Sequence, residues 1–568
     1  MNTIKTIIIL KICFLSISAN FVFAQLLKPN TNFTQDDSLR GTLNENRNWW
    51  NVKHYNIAVT PDYNNKSISG VVQMQVELIG KNFNNKQIQI DLQQPLIIDK
   101  ILINKQQTDS FYKASANTWI IHSLNLKREQ AFAKKAKHKP IIFIDIYYHG
   151  KPKEAKTPPW DGGWIWKKDE EGNPWMTVAV QGLGASAWYP CKDHQSDEPE
   201  LGATITIHVP DTLMAIANGK LIKQTANNNM AAFTWQVKNP INNYCIVPYI
   251  GKYTAFTDTF MGIKGKLDIR YWVLPYNLNK AKEHFKQVKP MLRALEYWLG
   301  AYPFYEDGYQ LVESPHLGME HQSAIAYGNK FLNGYMGKDR SGNTGWGLKW
   351  DFIIVHESGH EWFANNITAK DIADMWIHES FTTYSETLFV EYYYGKAAAN
   401  TYNFGQRKNI LNDKPIIGPY GVNKEGSSDM YDKGSNMIHT LRHALNNDSL
   451  FRQMLIKLNS TFYHSTVTTQ EIENFIINTT HYNWQPVFNQ YLRTTQIPVL
   501  VYHYNSGNKN LSLTFENCVP NFTLPIWLEG KRIEVSNTQT AQIYFSTENV
   551  ELAVKELEKL YYIQVKRQ

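Results

Sequence analysis

From His54 onward, apolar side chains fall on every second residue: Tyr55, Ile57 and Val59, then Val72, Met74, Val76 and Leu78, then Ile88, Ile90 and Leu92, then Ile142, Ile144 and Ile146, then Ala203, Ile205, Ile207 and Val209. A strand turns successive side chains to opposite faces, so this alternation asks for extended chain with one face buried. Its recurrence over about 200 residues predicts an antiparallel β domain. Near Phe256 the period changes. After one strand-like stretch, Leu267–Val273, the spacing turns helical from Lys280 onward, and beyond Pro498 strand-like runs return at 499–504, 511–515, 526–528, 532–535 and 541–545. The chain is read as multidomain α+β: an N-terminal β domain (46–256), a mainly helical domain (257–497) and a small C-terminal β-sandwich-like domain (498–568). A length of 568 residues asks for about three cores rather than one.

Composition narrows the function classes. Hydrophobic residues at 43% and aromatic residues at 13% are enough for sizeable cores and exclude a disordered or coiled-coil chain. The net charge of +7 is spread without a long block of one sign, so no nucleic-acid partner is expected; the densest basic stretch, Lys134 to Lys139, reads as a solvated loop. Residues 1–24 place Lys5 ahead of an apolar run and end in Val22-Phe23-Ala24, the pattern of a secretory signal peptide cleaved after Ala24, which implies a periplasmic or extracellular protein. A retained signal anchor is the alternative, and no later segment is long and apolar enough to cross a membrane. Residues 25–45 are polar and suit a linker. Cys191, Cys245 and Cys518 follow no zinc or disulfide spacing and read as buried thiols.

The chemistry concentrates in Asp351-Phe-Ile-Ile-Val-His-Glu-Ser-Gly-His360, an H-E-x-x-H run on an apolar helix body. Residues four apart share a helix face, so His356 and His360 can reach one metal ion, with Cβ atoms about 5–6 Å apart. Catalytic zinc takes three protein ligands and leaves a position for water. Glu379, in the helix-like run from Trp376 to Val390, is the candidate third ligand, and Glu357 lies beside the ligands as candidate base. Glu386, seven residues further along that helix, either orients a ligand or is a buried structural carboxylate. The Trp-rich stretch from Pro158 to Trp166, with Trp175, is either a platform in a substrate cleft or ordinary aromatic packing.

These residues resemble the gluzincin zinc aminopeptidases, the family of aminopeptidase N and leukotriene hydrolase. Eighteen residues separate His360 from Glu379, as in that family, and Trp362 follows the second His by two, while His378-Glu379-Ser380-Phe381 stands for the family's Asn-Glu-Gly-Phe. Leu317-Gly318-Met319-Glu320-His321 is similar to the family's G-x-M-E-N motif, which implies that Glu320 binds the substrate's α-amino group with Gly318 and Met319 beside it. Tyr431-Asp432-Lys433-Gly434 is similar to Y-x-K-G, which implies that Tyr431 stabilises the tetrahedral intermediate. The segment from Gln181 to Pro190-Cys191-Lys-Asp193 resembles the family's P-C-x-D segment, with Gln181 as a second amine contact and Ser186 where relatives often carry Arg. The resemblance runs from about Asn51 to about Pro498. It implies a thermolysin-like catalytic domain, here without the C-terminal helical solenoid of many relatives.

The expectation is therefore an exported aminopeptidase with one zinc per chain, acting through a metal-activated water on peptides with a free N-terminus. The alternatives are a zinc endopeptidase or epoxide hydrolase on the same scaffold, suggested by Leu317 and His321, and a non-catalytic peptide-binding homologue.

Overall fold

The strand Trp50–Asp62 forms the spine of the N-terminal part. It pairs antiparallel with Ser67–Leu78 on one edge and parallel with Ala203–Pro210 on the other, inside an eight-stranded sheet whose remaining pairs are antiparallel. The alternation read from the sequence is the burial pattern of this sheet, with Tyr55, Ile57, Val59, Met74, Val76, Ile205 and Ile207 on the covered face. This computed structural model describes residues 33–568 apart from 84, 123, 125, 136–138 and 547–548. The expected signal peptide, 1–24, and residues 25–32 of the expected linker lie outside the described residues. A four-stranded sheet (Met214–Ile216, Tyr249–Gly251, Pro174–Ala179, Gly163–Lys168) shares the core of the large one. Within it Trp164 and Trp166 are buried and stacked at 5.2 Å between ring centroids, which is aromatic packing, whereas Trp160 is 70% exposed.

The rest of the 25–45 stretch is not a linker. Thr34 caps helix α1, Gln35–Gly41, in a reciprocal capping box with Asp37. Fully buried Arg47 accounts for its docking: one guanidinium nitrogen donates to the carbonyls of Leu39 and Arg40 at 2.6 and 3.0 Å, another pairs with Asp91 at 3.0 Å. A polar composition had the look of a spacer because this helix is held by its backbone and one arginine rather than by an apolar stripe; it buries no residue of its own.

The middle section opens with a five-stranded sheet in the order Thr254–Gly262, Gly265–Val273, Tyr309–Glu313, Ile325–Tyr327, Gly318–Met319. Only the second of these stood out in the sequence. Tyr309–Glu313 is buried on both faces and so shows no alternation, and Gly318–Met319 is two residues long. Helix α2, Phe352–Gly359, begins at Asp351, whose carboxylate accepts from the backbone nitrogens of Ile353 and Ile354 at 2.9 and 3.2 Å. Helix α3, Trp376–Tyr394, is buried at every position from Trp376 to Val390. Helix α4, Asp432–Leu445, packs against it through Gly434, where a β-carbon would lie 1.8 Å from Ser380 Oγ. The C-terminal strands form a four-stranded sheet and the hairpin Thr523–Leu528/Lys531–Ser536, and their apolar faces join the core of the catalytic helices.

Candidate metal centre and cleft

Helices α2 and α3 bring the three predicted ligands together. His356 lies in the last turn of α2 and His360 is its C-cap, with rings 4.9 Å apart and nearly perpendicular. Glu379, in the first turn of α3, sets Oε2 at 3.3 Å from Nε2 of His360 and 3.7 Å from Nε2 of His356. Tetrahedral ligands about 2.0–2.1 Å from one ion stand about 3.3–3.4 Å apart, so the spacing suits a single zinc.

Whether these residues fit a metal can be tested on their hydrogen bonds. Nδ1 of His356 is 2.7 Å from Oε1 of Glu386, and Nδ1 of His360 is 2.9 Å from the carbonyl of Phe363. A carbonyl only accepts, so the His360 proton sits on Nδ1 and its Nε2 presents a lone pair; the Glu386 carboxylate selects the same tautomer for His356. Oε2 of Glu379 is buried with no hydrogen-bond donor. With both rings neutral, as they are when a metal displaces their Nε2 protons, three acceptor atoms converge, as a cation site requires. A second acidic group, Glu320, Glu357 and His360, also has its donor atoms within 4.8 Å of one another. Glu320 there is engaged otherwise: Oε1 accepts from Gln181 Nε2 at 2.5 Å and from the Tyr244 hydroxyl at 3.1 Å.

The electrostatics agree. Burial disfavours charge on His356 and His360, but Glu379 and Glu386 push His356 up to about 10, and Glu379 with Glu320 pushes His360 up to about 9. Burial also acts to raise Glu379, yet the two histidines outweigh it and hold it well below the carboxylate range. Glu357, buried beside both imidazoles, is pushed up to about 7 by desolvation. A pocket that holds protons this firmly has an excess of negative charge, which a dication can neutralise in place of those protons.

The cleft, of about 460 Å³, is lined by Gln181, Gly318, Met319, Glu320, His356, Glu357, His360, Glu379 and Tyr431, so every residue given a ligand, catalytic or substrate-binding role in the sequence faces one space. A β-carbon at Gly318 would stand 2.7 Å from Oε1 of Glu357, so a larger residue there would push that carboxylate aside. The Tyr431 ring stacks over His356 at 6.1 Å. The departures from the family motifs fall mainly outside the cleft. His321 is buried with Nδ1 2.7 Å from the Tyr249 hydroxyl, and His378 accepts from the Ala369 nitrogen at 2.7 Å, whereas Leu317 does line the cleft. Sequence reasoning missed Tyr244, Arg340 and Asp432, whereas Trp160 belongs to the stretch read as either a cleft platform or aromatic packing. Trp160, Arg340 and Asp432 line the cleft, and Arg340 pairs with Asp432 at 3.2 Å. All but Asp432 lie outside the recognised motifs, and only the Pro-Pro-Trp turn at 158–160 carried a local signal.

Comparison with known proteins adds the lineage. The model of the Peptidase family M1 domain matches residues 276–491 and that of the Peptidase M1 N-terminal domain matches residues 51–245. A probable aminopeptidase 2 of Sulfurisphaera tokodaii is 21% identical over 383 residues, 65% of this chain and 47% of the relative. Leukotriene A-4 hydrolase of Xenopus laevis is 23% identical over 450 residues, 75% of this chain and 68% of the relative. The chain thus spans about half the length of the first of these relatives. Among solved structures, an M1 zinc metallopeptidase mutant of Deinococcus radiodurans bound to a Tyr-Ser-Ala substrate shares the fold with a TM-score of 0.63 at 19% identity, over 80% of this chain and 96% of that one. Yeast LTA4 hydrolase in complex with bestatin has a TM-score of 0.61 at 16% identity, over 79% and 68% of the two chains.

Proposed function

The chain belongs to peptidase family M1, and on that premise we propose that it is an exported zinc aminopeptidase that removes residues one at a time from the N-termini of peptides. The carrying observation is the pairing of Gln181 with Glu320 beside the metal triad. An anionic carboxylate with an amide partner at one end of a cleft is complementary to an ammonium group, and its closeness to His360 puts the first peptide bond of a bound substrate at the metal.

His356, His360 and Glu379 would hold the zinc, which when bound would polarise the scissile carbonyl and lower the pKa of a water to around 7. Glu357 takes the proton of that water. Its pKa of about 7 suits it both to accept a proton and to return it to the leaving amine. Tyr431, whose hydroxyl is kept protonated by burial and by the nearby Glu379 and Glu320, donates to the oxygen on which charge develops. Glu320 and Gln181 fix the amine and so set where along the chain cleavage falls. Export rests on the composition of residues 1–24.

The test compares a peptide with its N-acetylated twin. The free amine should be strongly preferred, because a buried carboxylate left without its cation is costly. Equal cleavage of both twins would refute the aminopeptidase reading in favour of an endopeptidase, and activity unaffected by a chelator would refute the metal.

A further inference from the structure

We propose that Arg40 is a positioning residue for the amine pocket: α1 is a strap, and its one guanidinium holds the loop that carries Gln181 against Glu320. This rests on the aminopeptidase reading and deepens it, since it extends the amine site to a helix that lies outside the cleft.

Gln181 begins the loop that follows the strand Pro174–Ala179. The next two residues have no ladder partner, and their carbonyls are taken by side chains. Arg40 Nη2 donates to the Gly182 carbonyl at 3.1 Å, and Nη1 donates to that of Leu183. Nε pairs with Asp193 at 3.2 Å, whose same oxygen accepts from Ser186 Oγ at 2.5 Å at the far end of the loop. One planar fork therefore binds both ends of the turn, which a point charge could not do. Gly184 makes room for it: at φ +99° its backbone favours glycine, and a β-carbon would stand 2.5 Å from the guanidinium carbon of Arg40.

The strap is anchored on both sides. Arg47 grips its C-terminal carbonyls from the β part, as described above. From the catalytic part, the Asn423 nitrogen donates to the carbonyl of Asp37 at 3.0 Å, and Thr42 Oγ1 donates to that of Gly421 at 2.8 Å. Asn423 Nδ2 then closes the circuit by donating to the Gly182 carbonyl at 3.2 Å, the one Arg40 already holds. The two joined loops face the substrate, since Gln181, Gly182 and Glu425 all line the cleft while Arg40 does not. Any effect of Arg40 on amine recognition must then pass through the position of the loop.

Steady-state kinetics on a free-amine peptide and its N-acetylated twin, with zinc content and Tm recorded, provide the test. Arg40→Ala should raise KM for the free-amine peptide by roughly tenfold or more, the worth of a lost charge-assisted contact, with kcat within about twofold and zinc unchanged. The preference over the acetylated twin should narrow to match. Arg40→Lys keeps the charge beside Asp193 without the fork and should fall between. A wild-type KM and preference in Arg40→Ala would overturn the proposal, and so would a drop in kcat and Tm with KM unchanged, the mark of a purely structural arginine. Should Arg40→Ala fail to fold, Thr42→Val with Asn423→Ala loosens the same loop from the other side; it should raise KM by a smaller factor, and an unchanged KM would overturn the strap. A wild-type enzyme indifferent to acetylation refutes the aminopeptidase reading itself, and this inference falls with it; wild-type discrimination that persists in the variants refutes the strap alone.

Discussion

Glu386 touches no substrate, yet its removal should weaken zinc binding. Oε1 lies 2.7 Å from His356 Nδ1, and Oε2 accepts from the Tyr402 hydroxyl at 2.6 Å and from Gln406 Nε2 at 3.0 Å. The carboxylate is 1% exposed, so solvent does not share its role. It orients the imidazole, selects the tautomer that offers Nε2, and adds negative charge behind the ligand. Outer partners of this kind are worth about 10–100-fold in metal affinity, or about 1.4–2.8 kcal/mol. In Glu386→Ala, His356 Nδ1, Tyr402 and Gln406 all lose their acceptor, which places the expected loss in the upper half of that range. Glu386→Gln keeps one acceptor oxygen for His356 but turns an amide group toward two donors, and it should lose less. The assay is chelator competition: zinc Kd is measured for both variants and wild type, and kcat is then taken at saturating zinc. A Kd within about twofold of wild type for Glu386→Ala would refute the reasoning, since it would leave Glu386 as filler beside a self-sufficient triad.

Three further variants separate the roles inside the cleft. Glu379→Ala should lose most of its zinc, by metal analysis of the purified protein; full occupancy would remove Glu379 from the ligand set. Glu357→Gln should retain zinc while kcat falls by about 10²–10⁴-fold, the usual contribution of a general base, and near wild-type turnover would mean that another group accepts the proton. Tyr431→Phe should lower kcat by about 10²–10³-fold with KM little changed, because an oxyanion donor acts only where charge develops; a pure KM effect would reassign it to substrate binding.

How much of this was legible in the sequence depended on whether a residue's partner was local. Tyr55, Ile57 and Val59 announced their sheet because burial on one face imposes a period, and His356 and His360 announced a shared ion because four residues make one helical turn. Gln181, Glu320 and Tyr431 were reached only through family motifs, and their meeting in one cleft depends on contacts across more than a hundred residues, such as that between Gln181 and Glu320. Tyr309–Glu313 was hidden by being buried on both faces, and α1 by being polar. Arg40 had no signal at all. Two of its partners are backbone carbonyls, which any sequence would provide, the third is the carboxylate of Asp193, and what selects it is the path of a loop 143 residues away.

The missing carbon at Gly434 has a consequence for how this site could be tuned. Ser380 directly follows the candidate ligand Glu379, and Gly434 lies three residues past Tyr431, the N-cap of α4, so their contact works as a spacer gauge between groups carried by two helices. A single methyl at 434 would have no room, and the two helices would have to part. The strain would fall on Tyr431 on one side and on Glu379 on the other, changing the gap between them while the amine pocket, carried by other elements, is not touched directly. Turnover could thus be throttled from a point that neither peptide nor metal ever reaches.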